Sequence, residues 1–188
     1  MTMFERWSLV GVFAAIAVNI IAFLAVIWQL RLLAHQNRQS QQAIVQDHDR
    51  RRKQATLEFF ATTHDRQIEF RKILPNSWSS EEIVALIQKA VNGDTDTEKL
   101  IAGYLNLYEH FAAGVRAGIF DLEVTNQMAG GRIVAMQRNY QPWIEYRRRL
   151  HGVADLYCEL EWLGGRLAEL RRNLGLVDEP VQKDQQVP

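Results

Sequence analysis

The stretch Trp7 to Trp28, WSLVGVFAAIAVNIIAFLAVIW, constrains this chain more than any other. Its twenty-two consecutive residues carry no charge, and only Ser8 and Asn19 are polar. As a helix the run is about 33 Å long, enough to cross a hydrocarbon core of about 30 Å. Trp7 and Trp28 stand at its ends, where indole rings favour the headgroup boundary. The run is too long for the apolar part of a signal peptide, and Gln29, Leu30 and Arg31 follow it in place of a small-x-small cleavage site. A retained single-pass anchor in contact with the lipid bilayer is therefore expected. Behind it lie Arg31 and Arg38, then Arg50, Arg51, Arg52 and Lys53; ahead of it is only Arg6, balanced by Glu5. The positive-inside bias puts the C-terminal domain in the cytoplasm and the N-terminus outside; the expected location is the cell inner membrane.

The anchor also carries a pattern of its own. Gly11, Ala15, Val18, Ala22, Ala25 and Gln29 recur at steps of four and three, a smooth face suited to close helix approach, and Asn19 lies beside it. Gly11, Ala15, Asn19 and Ala22 are the expected membrane-helix contact, through which the chain would form a homo-oligomer.

The rest of the chain divides by composition. Residues 1–6 are a short lead, 7–30 the membrane helix, 31–54 a polar stalk, 55–175 a helical bundle and 176–188 a disordered tail. The stalk is rich in glutamine and free of proline and glycine, which permits helix. If it is straight, Arg50 sits about 33 Å beyond Trp28. The surface potential fades within about 8–10 Å, so Arg50–Lys53 reads as a solvated helix face rather than a lipid contact.

With only four prolines in the chain and little alternation after residue 30, the expected fold class is all-α: one N-terminal transmembrane helix, a helical stalk and an antiparallel bundle of five or six helices. A first bundle helix over 55–74 places Leu57, Phe60, Ala61, His64 and Ile68 on one face and stops at Pro75. Capping boxes at Ser79-x-x-Glu82 and Thr95-x-x-Glu98 open the next two helices. The second runs to Ala117, with Gly118 as its cap and Asp121 as N-cap of a helix from Leu122 to about Asn139. Pro142 marks a boundary or kink. Val153, Leu156, Leu160, Leu163, Leu167, Leu170 and Leu174 form an a/d seam on the last helix, best served by an intramolecular neighbour. Gly130-Gly131 and Gly164-Gly165 fall inside helices, which calls for another chain segment packed closely against them.

Chemistry is harder to find. Lys plus Arg equals Asp plus Glu, 22 against 22, and with the anchor this argues against nucleic acid as a partner, despite Tyr140, Trp143 and Tyr146 beside the Arg147–Arg149 triplet. The five histidines stand in no metal-ligand spacing, and no phosphate loop is present, so neither metal nor cofactor is expected. A lone cysteine, Cys158, excludes an internal disulfide and reads as a packing residue. One polar stripe crosses the otherwise apolar helix 100–117: Asn106, Glu109 and Arg116. It reads as a buried polar cluster, Glu109 being paired with Arg132, Arg138 or Arg147. Its role is a register-locking network or, alternatively, a ligand site. No catalytic residue is assigned.

The residues Tyr104–Asp121 (YLNLYEHFAAGVRAGIFD), Gly131, Gln141–Arg147 (QPWIEYR) and Glu161-Trp162-Leu163 resemble a widespread bacterial family of small helical proteins catalogued as a domain of unknown function, many of whose members begin with one transmembrane helix. The resemblance covers about residues 55–172 and rests on the Leu-Asn-x-x-Glu helix and its spacing to Pro142. It implies an all-helical domain and an anchor, and supplies no activity; Asn106, Glu109, Gly114, Arg116, Gly118 and Asp121 lie in its motif. The expected function is a membrane-anchored cytoplasmic interaction or regulatory module with an unknown protein partner. The alternatives are a membrane effector whose oligomerising anchor perturbs the bilayer and, third, a hydrolase using Glu109 and Arg116.

Overall fold

The computed structural model describes the backbone of residues 3–76 and 79–176, with the side chains of Phe23 and of residues 26–76 and 79–176. Six α-helices and no strand occur among the described residues: α1 (Met3–Thr62), α2 (His64–Ile73), α3 (Ser80–Val91), α4 (Thr95–Arg116), α5 (Leu122–His151) and α6 (Cys158–Asn173). Contacts fall into two units, Met1–His48 and Asp49–Pro188. Among the described residues the first contains only the part of α1 before Asp49, and its side chains from Trp28 to His48 are exposed. Among the described residues no helix is long and apolar enough to cross a membrane. Most side chains of the Trp7–Trp28 run, including those of Gly11, Ala15, Asn19 and Ala22, lie outside the described residues, as does the tail from residue 177.

The second unit is built around α4. Its Ile101, Leu105, Tyr108, Phe111 and Ala112 are all but fully buried. The helix α6 packs on both α5 and α4, and α3 packs on both α4 and α5. From α5 come Ile133, Met136, Tyr140, Trp143 and Ile144; from α6, Leu160, Leu163 and Leu167. The leucine seam is thus filled within the chain, but it is shorter than expected: Val153 and Leu174 are 41% and 58% exposed.

The differences from the expected boundaries have local causes. The helix expected over 55–74 breaks at Thr63, because the hydroxyls of Thr62 and Thr63 donate back to Glu58 and Phe59 carbonyls, at 2.8 and 2.6 Å, and such bonds bend a helix. The inward face is consequently Thr56, Phe60 and Gln67, while Leu57, Ala61 and His64 point outward. Leu74, ahead of Pro75, is extended (ψ 145°), as a residue before proline should be. Ser79 precedes α3 but makes no side-chain cap. The cap of α4 is Asp94 rather than Thr95: its Oδ1 accepts from Asp96 and Thr97 N–H at 3.2 and 3.0 Å. The helix α5 runs through Pro142, which is exposed, to His151. The burial of Tyr140, Trp143 and Ile144 around it outweighs the one backbone bond that proline removes. The last helix starts five residues late. Gly152 takes a left-handed conformation (φ 68°), and Arg148 then holds the connection by donating to the Leu156 carbonyl at 2.9 and 2.7 Å.

The close neighbour of Gly164 comes from another helix, α5, whereas that of Gly130 is first a side chain of its own helix, with Arg171 of α6 at 3.4 Å. A Cβ on Gly164 would sit 2.9 Å from Gln137 Cγ, and one on Gly130 would sit 2.3 Å from Asn126 Oδ1. Gly165 faces open space.

Candidate functional site

The Asn106–Glu109–Arg116 stripe is not a buried cluster. Asn106 and Arg116 are exposed and Glu109 is half-buried, because the stripe runs along the rim where α4 meets α6. None of the three arginines expected beside Glu109 is its partner: Arg147 pairs with Glu98, Arg132 donates to Gln67, and Arg138 is exposed. Glu109 instead caps α6. Its Oε1 accepts from Glu159 N–H at 3.2 Å and its Oε2 from Leu160 N–H at 2.7 Å. The first amides of a helix have no partners within it, and Tyr157, left-handed at φ 61°, offers no side-chain cap. A carboxylate from another helix fills that place. Burial raises the Glu109 carboxyl above its ordinary range; the two amides oppose the shift and Glu159 adds to it. Arg116 completes the junction. Its Nη1 lies 3.1 Å from Glu159 Oε1, and its guanidinium lies 5.5 Å from the Trp162 ring centroid. Burial and the nearby Glu109 and Glu159 carboxylates push the Cys158 thiol up, away from the thiolate a nucleophile needs.

The remaining motif residues build the α4–α5 corner. Gly118 takes φ 73°, and the Ile119 and Phe120 amides donate to the Gly114 carbonyl at 2.9 and 3.2 Å. This folds the Phe120 ring over Gly114, where a Cβ would come within 2.5 Å of it, and stacks the ring on Phe111 at 4.9 Å. Asp121 ties the corner to α1. Its Oδ1 accepts from Val124 N–H at 2.9 Å and its Oδ2 from Arg52 at 3.2 Å, and its own N–H donates to the buried Thr56 hydroxyl at 2.7 Å. Arg52, expected on a solvated stalk face, is thus bound to the corner.

A second polar group lies around α2. His64, Gln67 and Arg71 follow three- and four-residue steps and share one stripe of the helix. Gln67 is buried. Its Nε2 donates to Thr63 Oγ1 at 2.9 Å, and its Oε1 accepts from Arg132 Nη2 at 3.2 Å and, more weakly, from Tyr108 OH at 3.5 Å. Burial, reinforced by Tyr104, pushes the Tyr108 phenol up, while Arg132 and Arg71 pull the other way. A cavity of about 340 Å³ is lined by Phe70, Leu74 and Tyr104 together with Arg71 and Arg132. A second, of about 300 Å³, is lined by Leu57, His64, Gln67 and Met128 and by the same two arginines. The sequence reading missed this group: Arg71 and Arg132 are 61 positions apart, and only the packing of α2 brings them to the same cavities. Among the described residues no group of three or more His, Cys, Asp or Glu is placed to hold a metal ion.

Comparison with curated proteins finds no match, and neither does comparison with solved structures. A family model, the domain of unknown function DUF4760, matches residues 16–167, and a match over most of the chain, together with the helical fold, makes this protein a member of that family.

Proposed function

We propose that the protein is a membrane-anchored, non-catalytic helical module: residues 7–30 span the inner membrane, the N-terminus lies outside, and the 55–175 domain works in the cytoplasm as an interaction or regulatory unit. The observation that carries this reading is the uncharged Trp7–Trp28 run, which lies within the long helix α1. The polar residues best suited to chemistry by sequence support the second half of it. Glu109 spends both oxygens on α6 amides and Arg116 is engaged with Glu159 and Trp162, so the motif of the family acts here as architecture. Self-association through Gly11, Ala15, Asn19 and Ala22 belongs to the same proposal.

The test is alkaline extraction of membranes holding the full chain, together with a C-terminal reporter that matures only in the cytoplasm. Retention in the pellet with an active reporter is expected. Release at high pH would sink the anchor, and an inactive reporter with retention would reverse the topology. Crosslinking beside Asn19→Leu and Gly11→Ile reads the oligomer: dimer in the wild type, and less in both variants.

A further inference from the structure

Arg71 and Arg132 are two of several bundle arginines without a carboxylate partner among the described residues, and they share the lining of one cavity. Arg52, Arg116, Arg147, Arg148 and Arg166 each reach a carboxylate within 4.0 Å. Among the described residues Arg71 and Arg132 reach none. Arg71 is exposed and donates to the Gln67 carbonyl of its own helix, at 3.2 Å. Arg132 is held from one side by Gln67, and its Nε is buried with no hydrogen-bond partner among the described residues. A buried N–H left unmade is costly; Arg52 carries another, and the one on Arg132 belongs to a side chain that also lines a cavity. Both arginines line the same cavity of about 340 Å³, whose other walls include Phe70, Tyr104 and Leu74. An apolar concavity with a few convergent polar groups is the usual form of a small-molecule site, and arginine forks match carboxylate and phosphate oxygens.

We propose that this cavity binds a small organic anion, with a carboxylate or phosphate head on Arg71 and Arg132 and a flat apolar body against Phe70 and Tyr104. The volume is at the low end for ligand pockets, which favours a compact soluble molecule over a two-chain lipid. The assignment stands apart from the membrane anchor, and it gives the bundle something to sense.

The test uses the full-length protein in detergent micelles, titrated calorimetrically with phenyl phosphate, benzoate, inorganic phosphate and a short-chain phosphatidic acid. Saturable binding of phenyl phosphate or benzoate is expected, tighter than that of inorganic phosphate. Arg71→Gln should weaken it at least about tenfold while leaving the melting temperature of the unliganded protein unchanged. Arg132→Lys, which keeps the charge and loses the fork, should weaken it too, and Phe70→Ala should erase the advantage over inorganic phosphate. Absence of saturable binding by every probe overturns the proposal, as does wild-type affinity in both arginine variants. Preference for the phosphatidic acid would move the site to a lipid headgroup and overturn the soluble-ligand assignment.

Discussion

Replacing Glu109 with alanine isolates the cap that joins α4 to α6. In the folded protein the carboxylate accepts two amide N–H groups, from Glu159 and Leu160, at a helix start where Tyr157 provides no cap of its own. Loss of an N-cap costs about 0.5–2 kcal/mol. Glu109 is half-buried, so water recovers part of the lost bonding, but two amides are orphaned rather than one. We therefore expect about 1–2 kcal/mol. For a unit of this size a loss of 1 kcal/mol lowers the melting temperature by about 2–8 °C. Urea denaturation measures the total, and amide hydrogen exchange localises it: the Glu159 and Leu160 amides should lose protection first. Asn106→Ala is the control, since Asn106 is exposed on the same stripe and its loss should fall within about 0.5 kcal/mol. Equal stability of Glu109→Ala and Asn106→Ala, with α6 protection intact, would refute the capping argument. A wild-type melting curve coupled to loss of a cellular phenotype would return Glu109 to a functional role.

Three other outcomes follow from the geometry. Gly165→Ala should stabilise the protein by about 1 kcal/mol through helix propensity, whereas Gly164→Ala should destabilise it because its Cβ meets Gln137; thermal melts of the two single variants should move in opposite directions. Thr56→Val keeps the shape of a fully buried side chain but leaves the Asp121 N–H without its acceptor, at a cost of about 1–3 kcal/mol in urea denaturation, while Thr56→Ser should be milder because the hydroxyl survives. The Asp94 carboxyl, held down by its hydrogen bond from Lys89 and by the Thr97 amide, lies at about 2 against an ordinary 3.8. A depressed acid contributes stability that is fully present above its unfolded pKa and is lost as pH falls through its folded one. A carbon-detected NMR titration should therefore find its midpoint near 2, with the start of α4 loosening between about pH 4 and pH 2, and Lys89→Met should raise that midpoint.

The sequence by itself determined the helical class, the apolar run at the N-terminus and most helix ends, because these depend on residues adjacent in the chain. Pro75, Gly118 and Asp121 each act on their immediate neighbours, and the leucine spacing of α6 reports the face it buries. Local signals failed where a distant segment decided the outcome. Pro142 is a helix breaker by local rules, yet the burial of Tyr140, Trp143 and Ile144 carries α5 past it. At the start of α4 the competitor was a neighbour instead: Asp94, one residue before Thr95, holds the cap. The Glu109 stripe was legible as a polar line on an apolar helix, but its partner was not, since backbone amides are the same in every residue and leave no mark in a sequence. The Arg71–Arg132 pair was invisible for the complementary reason: its residues belong to α2 and α5, far apart in the chain, and only the tertiary packing that lets Arg132 donate to Gln67 turns two ordinary arginines into one wall of a cavity.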